Sequence, residues 1–355
     1  MTQSSTQAPI RTGLIGLGAA GRMMHVPLID ATEGIELAAV CTSRPDLAEQ
    51  IAPTARHHAT PAALMADREI DLVVIATPND SHAELARAAI LGGKHVLVEK
   101  PFCLDRAEAA ALLRLADEHD RVVCVFQNRR FDSDFLTVRH AIADGHCGQV
   151  RSFESRMERF KPIIAPGWSA PVEPGAGGWY DFGAHLVDQA VELFGRPLHV
   201  TARFASLRDE TAADDWGQAI LGYARHEVVL HYSLTARGAS PSFVVHGSQA
   251  SLFKHGDDPQ GMQMMQGLAP GAPGWGVDSD PLLRIALGAE AEAIPALPGD
   301  YGRFYGAVAA AIRGDGVNPT PPGQILDVLA VLEAGVRSAK EGIAILLPLT
   351  TEPPT

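Results

Sequence analysis

The sequence predicts an α/β fold in two domains: a doubly wound parallel sheet, then a region whose strands pair mostly antiparallel. Three observations carry this. The chain has 355 residues, more than the ~100–200 typical of a single domain. Up to about residue 127, short Val-, Ile- and Leu-rich runs alternate with Ala-rich stretches of helix length. Beyond that point the runs alternate apolar with polar residues, and short turns join several of them.

Taken in order, the first ten residues read as a loose tail. TGLIGLG, ELAAVC, DLVVIA, HVLVEK and RVVCVF follow as strands, with helices such as SHAELARAAILGG and DRAEAAALLRLADEH between them. Strands apolar on both faces and separated by helices are what a buried parallel sheet requires. Right-handed crossovers then wind it doubly. After residue 127, RSFESRMERF, HVTARFAS, GQAILGYA, EVVLHYSL and SFVVHG have the half-buried alternation of an antiparallel sheet. GGWYDFGAHLVDQAVELFG is one helix among them. GLAPGAPGWGVDSDP (267–281) reads as a long surface loop, YGRFYGAVAAAIRG and PPGQILDVLAVLEAGVRSAKEG as later helices, and AILLPL as a last strand before a frayed TTEPPT tail.

Composition narrows the function. With 46% hydrophobic and 20% charged residues the chain can build a core. Lys+Arg total 29 against Asp+Glu 42, a net charge of −13 that argues against a nucleic-acid partner. Cys41, Cys103, Cys124 and Cys147 stand singly and read as reduced thiols. The polar N-terminus lacks the apolar stretch of a secretory signal, and no run approaches the ~18 residues of a membrane span. A soluble cytoplasmic protein is expected, with no membrane partner. Scattered His and Asp without ligand spacing predict no metal site; His57, His58, His119, His140 and His226 read as surface residues.

GLGAAG, directly after the first apolar run, carries Gly16, Gly18 and Gly21 with Ala19 and Ala20 between them. The first glycine permits a tight turn, the second a close approach by a pyrophosphate, and the third helix-on-strand packing. The helix N-terminus offsets the phosphate charge locally, so the overall acidity is no obstacle to an anionic cofactor. A glycine-rich turn without a ligand is the bland alternative. The second strand ends AAVCTSRP, with no carboxylate for a ribose diol. Ser43 and Arg44 stand there instead, and a hydroxyl beside a guanidinium fork suits a 2′-phosphate. NADP is therefore expected over NAD, with a solvent-facing Arg44 as the alternative.

HVLVEKP ends the strand before RVVCVF in Glu99, Lys100 and Pro101, on the sheet edge where open α/β folds bind ligands. GGWYDFGAHLVD places Asp181 and His185 at i, i+4, with Asp188 three further on. A His oriented by a carboxylate is a common proton acceptor; a capping Asp and an unrelated core His is the other reading. Asn128, Arg129, Arg130 and Asp132 line either a cleft or an inter-domain salt-bridge network. Trp168 and Trp179 offer either core packing or a flat face for a sugar.

With GLIGLGAAG, ATPNDSHAELARAAILGGKHVLVEKP and GGWYDFGAHLVDQAVELFG in order, the chain from about residue 10 to 347 resembles the glucose–fructose oxidoreductase/inositol dehydrogenase (Gfo/Idh/MocA) family. FQNRRFDSDFLTV, FVVHGSQASLFKHGDDPQ and PGDYGRFYGAV resemble a subgroup with NADP-linked scyllo-inositol dehydrogenases. The resemblance implies a Rossmann domain over 10–127 and an α/β domain over 128–350. The large, open, mostly antiparallel sheet of the second domain would form a homodimer or homotetramer interface. It also implies a catalytic set of Lys100, Asp181 and His185. Asn79 and His82 fall where the family contacts the nicotinamide half, and Thr77, Pro78, Glu99, Lys100 and Asn128 are counted with them as cofactor-binding. Asn79 could equally cap a helix. Ala176 departs from a glycine common in relatives. The implied activity is hydride transfer between the nicotinamide and a secondary hydroxyl of a cyclic polyol or sugar. Two alternatives remain: a tightly held cofactor driving another reaction such as glycoside hydrolysis, or a cofactor-sensing regulator without activity.

Overall fold

A computed structural model describes residues 8–163, 175–208, 213–238 and 240–348. Six parallel strands form the first sheet: β1 (Ile10–Ile15), β2 (Ile35–Cys41), β3 (Arg56–His58), β4 (Leu72–Ile75), β5 (His95–Val98) and β6 (Val123–Val125), in the order β3-β2-β1-β4-β5-β6. Leu14, Val40, Val74 and Leu97 are wholly buried, as expected of strands covered on both faces. β3 was not anticipated. Its sequence, RHH, is polar because it is a short edge strand needing only to pair with β2.

Nine strands form the second sheet: β7 (Val150–Glu158), β8 (His199–Ala205), β9 (Trp216–Gly222), β10 (Glu227–Ser233), β11 (Phe243–Gly247), β12 (Ala250–Lys254), β13 (Leu282–Ala286), β14 (Glu292–Ile294) and β15 (Ile345–Leu346). Their order is β14-β13-β12-β11-β7-β10-β9-β8-β15, and only β7 and β10 run parallel. In β9, Gly217, Ala219 and Leu221 turn inward while Gln218 and Ile220 stay exposed. The inner face packs against helices Ala184–Phe194 and Pro322–Glu341. The longer helix starts behind Pro321 and stops at Gly342, whose φ of +70° ends it.

The chain does not divide in space where it divides in sequence. Helix Gly302–Arg313 returns to the first sheet, and Tyr301, Phe304, Tyr305 and Val308 share a core with Leu14, Val26, Val40 and Leu97. The segment 267–281, expected on the surface, sends Trp275 into that same core, and Asp278 pairs at 2.9 Å with the wholly buried Lys254. An apolar ring and a buried cation both need cover, so this loop is partly interior. Trp179 is a core residue: its ring sits 4.7 Å from Phe204 and its N–H donates to the Leu332 carbonyl. Trp168 lies outside the described residues. His57, His119 and His140 are exposed, whereas His226 stacks on Tyr223 and His58 meets Asp67, each half-buried by its partner. All four cysteines are buried and free. Among the described residues no helix is long and apolar enough to cross a membrane, and no group of side chains could hold a metal ion.

Candidate active site

The glycine loop begins where β1 ends. Gly16 has φ +100°, and a Cβ there would stand 2.3 Å from the Ala76 carbonyl oxygen; one on Gly21 would stand 2.1 Å from the Gly16 oxygen. Both positions are closed to any side chain. Gly18 differs, because nothing lies within 4 Å of its Cβ position. Ala19 beside it is exposed and Ala20 half-buried. The loop therefore presents an open backbone cradle at the start of a helix, a fit for a pyrophosphate. That helix opens with one wide π turn, Gly21–His25.

Ser43 and Arg44 lie exposed at the end of β2. The Arg44 amide donates to Thr42 Oγ1, and its guanidinium reaches back to the Leu17 carbonyl at 3.2 Å. Arg22, which sequence reasoning passed over, curls onto the next carbonyl, Gly18, at 3.3 Å. Its place directly after the third glycine was the available signal. Neither guanidinium has a carboxylate partner among the described residues, so both charges are available to an anionic adenosine end.

β5 delivers Lys100, and the second domain delivers Asp181 and His185. Lys100 Nζ donates to Asp181 Oδ1 at 2.7 Å and to the Asp181 carbonyl at 3.0 Å. Burial would raise the Asp181 carboxyl, but Lys100, with Arg129 and Lys161 behind it, holds it below the usual range. His185 is 9% exposed, one turn further along a helix that also opens with a π turn, Trp179–Gly183. Burial first, then the charges of Lys100 and Arg129, push its imidazole well below the usual histidine value. Its Nδ1 is buried without a partner among the described residues. No hydrogen bond joins Asp181 to His185, so the expectation that the carboxylate orients the ring does not hold; the full charge of Lys100 is the stronger partner.

The other expected residues divide. Asn79 is half-buried and caps no helix; its Nδ2 crosses to the Gly175 carbonyl at 3.2 Å and ties the two sides of the cleft. Thr77 is half-buried with its hydroxyl on Ser81, and Pro78 is exposed. His82 is wholly buried, with carbonyl oxygens of Pro101 and Thr77 at 2.8 and 2.9 Å from its two ring nitrogens. It braces the ends of β4 and β5 and has no free edge for a nicotinamide. Asn128 is buried at the start of the turn Asn128–Phe131. Glu99 is engaged below the surface, by His25 at 3.0 Å and by the Lys100 amide at 3.1 Å. Arg129 pairs with Asp132 at 2.8 Å, and Arg130 is buried in a fork against Asp188, part of a salt-bridge network that also lines a small cavity beside Pro101 and Ala184.

Comparison with known proteins gives a consistent picture. The family described as "Oxidoreductase family, NAD-binding Rossmann fold" matches residues 10–127, and the GFO/IDH/MocA C-terminal domain matches residues 135–253. An uncharacterized oxidoreductase of Escherichia coli, YdgJ, is 41% identical over 95% of this chain and 99% of its own length. The scyllo-inositol 2-dehydrogenase (NADP(+)) IolW of Bacillus subtilis is 30% identical over 95% and 96%. The crystal structure of a putative oxidoreductase from Klebsiella pneumoniae superposes with a TM-score of 0.91 at 41% identity, covering 97% of each chain.

Proposed function

The chain belongs to the GFO/IDH/MocA oxidoreductase family, and from that premise we propose that it is an NADP-dependent dehydrogenase acting on a secondary hydroxyl, or the matching ketone, of a cyclic polyol or sugar. The observation that carries the reading is the meeting of Lys100, Asp181 and His185 beyond the end of β5. The name of the IolW relative, a scyllo-inositol dehydrogenase linked to NADP, favours the substrate class and the cofactor. Gly16, Gly18 and Gly21 would hold the cofactor pyrophosphate, and Ser43 with Arg44 its 2′-phosphate. When bound, the nicotinamide accepts or returns the hydride.

The protein's part is position, charge and a proton. His185 is held neutral by burial and by the neighbouring cations, so it is ready to accept a proton. With Nδ1 shut away, Nε2 is the atom left to take the hydroxyl proton. Lys100 faces the oxygen that becomes an alkoxide. A unit-charge pair at ~4 Å contributes about 4 kcal/mol at an effective dielectric near 20, enough to lower a barrier measurably. Asp181 holds the ammonium from the far side and offers an acceptor to a neighbouring substrate hydroxyl.

A panel of inositols, pentoses and hexoses with NADP and NAD, read by absorbance of the reduced cofactor, tests the proposal. NADP reduction with a cyclic polyol or sugar is expected; no turnover with any of them sinks the substrate class. Arg44→Ala should weaken NADP binding about tenfold to a hundredfold, the worth of a charge-assisted hydrogen bond, and leave NAD binding within a factor of three. Titration calorimetry with both cofactors reads this, and an equal loss for both would remove Arg44 from the 2′-phosphate. The pH profile carries a further mark. Because His185 sits below the usual 6.5, kcat/KM for alcohol oxidation should stay level as pH falls through that value and decline only below it. A half-maximal point at or above 6.5 would contradict a depressed His185.

A further inference from the structure

Glu99, His25 and Tyr305 come from three separate parts of the chain and meet beneath the catalytic lysine. Tyr305 Oη lies 2.6 Å from His25 Nδ1, His25 Nε2 lies 3.0 Å from Glu99 Oε1, and the Lys100 amide donates to Glu99 Oε2 at 3.1 Å. His25 and Tyr305 are wholly buried, with Phe126 packed 4.5 Å from the imidazole. We propose that Tyr305, His25 and Glu99 form a buried hydrogen-bond relay that positions Lys100 for catalysis, so that helix Gly302–Arg313 of the second half of the chain is part of the catalytic apparatus of the first. This rests on the reading of Lys100 given above.

The donor order follows from the chemistry. A carboxylate only accepts, so His25 carries its proton on Nε2; Nδ1 then accepts the proton of Tyr305. Every polar atom in the chain Tyr305–His25–Glu99–Lys100 amide is satisfied with the imidazole neutral. Both Glu99 oxygens are occupied by donors. Protonating Glu99 would set a donor against the His25 N–H; keeping that bond requires His25 to move its proton to Nδ1, which leaves the wholly buried Tyr305 hydroxyl without the acceptor it has on His25. The relay thus keeps its full set of hydrogen bonds only while Glu99 is ionised. The groups that face the Glu99 carboxyl are His25 from the turn after the glycine loop, Tyr305 from the returning helix, and Lys100 from its own strand. Burial raises the carboxyl, whereas the hydrogen bond from His25 and then the charge and amide of Lys100 pull it down. The same geometry binds the glycine-loop helix to the catalytic strand. A shift in either therefore reaches the other directly.

The test separates positioning from simple support. In the cofactor-free protein, infrared difference spectra against Glu99→Gln read the titration of the Glu99 carboxyl. In His25→Leu that titration should move up by about one pH unit or more, since burial is then opposed by Lys100 alone. In ketone reduction, where acid keeps His185 charged with the proton it donates, the acid-side decline of kcat should move up with it. His25→Gln, whose amide N–H still reaches toward Glu99, should restore both. Tyr305→Phe, a near-isosteric change that keeps the ring packing, should lower kcat about threefold to tenfold with the KM and the cofactor Kd within a factor of two, and it serves where His25→Leu does not fold. Movement of the carboxyl titration with a fixed kcat profile, or an unchanged kcat in Tyr305→Phe, overturns the relay. If instead wild-type protein turns over no substrate at all, the reading of Lys100 fails while the infrared arm still reports on Glu99.

Discussion

Lys100→Met and His185→Ala should each lower kcat about a hundredfold or more while the Kd for NADP changes less than threefold. The two losses have different origins. Methionine keeps the length and the apolar stem of Lys100 and removes only the ammonium, so on the proposed mechanism the developing alkoxide loses the positive charge within reach of it. Asp181 is left behind, but its side chain is half exposed and water takes over the vacated bonds. The fold should therefore tolerate the change, and the thermal midpoint should fall by only a few degrees. Alanine at His185 removes the atom proposed to take the proton. Its ring is buried and Nδ1 has no partner to strand, so the change leaves a small cavity with no new unpaired group. Stopped-flow turnover beside calorimetric cofactor binding decides the matter. Turnover within threefold of wild type in either variant removes that residue from the catalytic set, and a parallel collapse of cofactor binding would make its role structural.

The strands of the first sheet could be read from the sequence because burial on both faces leaves an apolar run of a recognisable length. β3 left no such mark, since an edge strand of three polar residues meets its needs through backbone pairing alone. β13 and β14 were hidden for a related reason, being short and placed after a Gly/Pro-rich segment. The meeting of Lys100 with Asp181 was legible as two motifs but not as a bond, because 81 residues separate them and the contact depends on how the two halves dock. His82 shows the limit of motif reading. ATPNDSH fixes where the residue lies in the chain, yet the turn Asn79–Ser81 rotates its ring inward, onto two carbonyls. Most opaque was helix Gly302–Arg313. Its apolar periodicity predicts a helix and a buried face, but nothing in that periodicity says that the face covers the first sheet.

Arg130→Met should destabilise the protein by about 3–5 kcal/mol, the cost of breaking a buried ion pair by removing one partner. The guanidinium is 5% exposed and holds both Asp188 oxygens, Oδ2 through Nε at 2.8 Å and Oδ1 through Nη2 at 2.6 Å. Its remaining arm donates to the Pro319 carbonyl and to Gln324 Oε1, both at 2.8 Å. Asp188 is 2% exposed, and burial already pushes its carboxyl up against the pull of Arg130. Without the guanidinium, Asp188 must either hold an uncompensated charge or take up a proton, and two backbone and side-chain acceptors lose their donor as well. A loss of this size consumes a large part of the 5–15 kcal/mol that typically separates folded from unfolded chains. Urea unfolding measures it. The discriminating comparison is the double variant Arg130→Met with Asp188→Leu. If the cost comes from the stranded carboxylate, the double variant should be more stable than Arg130→Met alone. A single-variant loss below about 1 kcal/mol, or a double variant that merely adds the two costs, would show that the pair is not what holds this helix. Asp188 lies one turn beyond His185 on that helix, so the same ion pair that anchors the helix to the turn Asn128–Phe131 also fixes where the proposed proton acceptor stands. Arg130→Met should accordingly lower kcat more than it raises KM at temperatures where the variant is still folded.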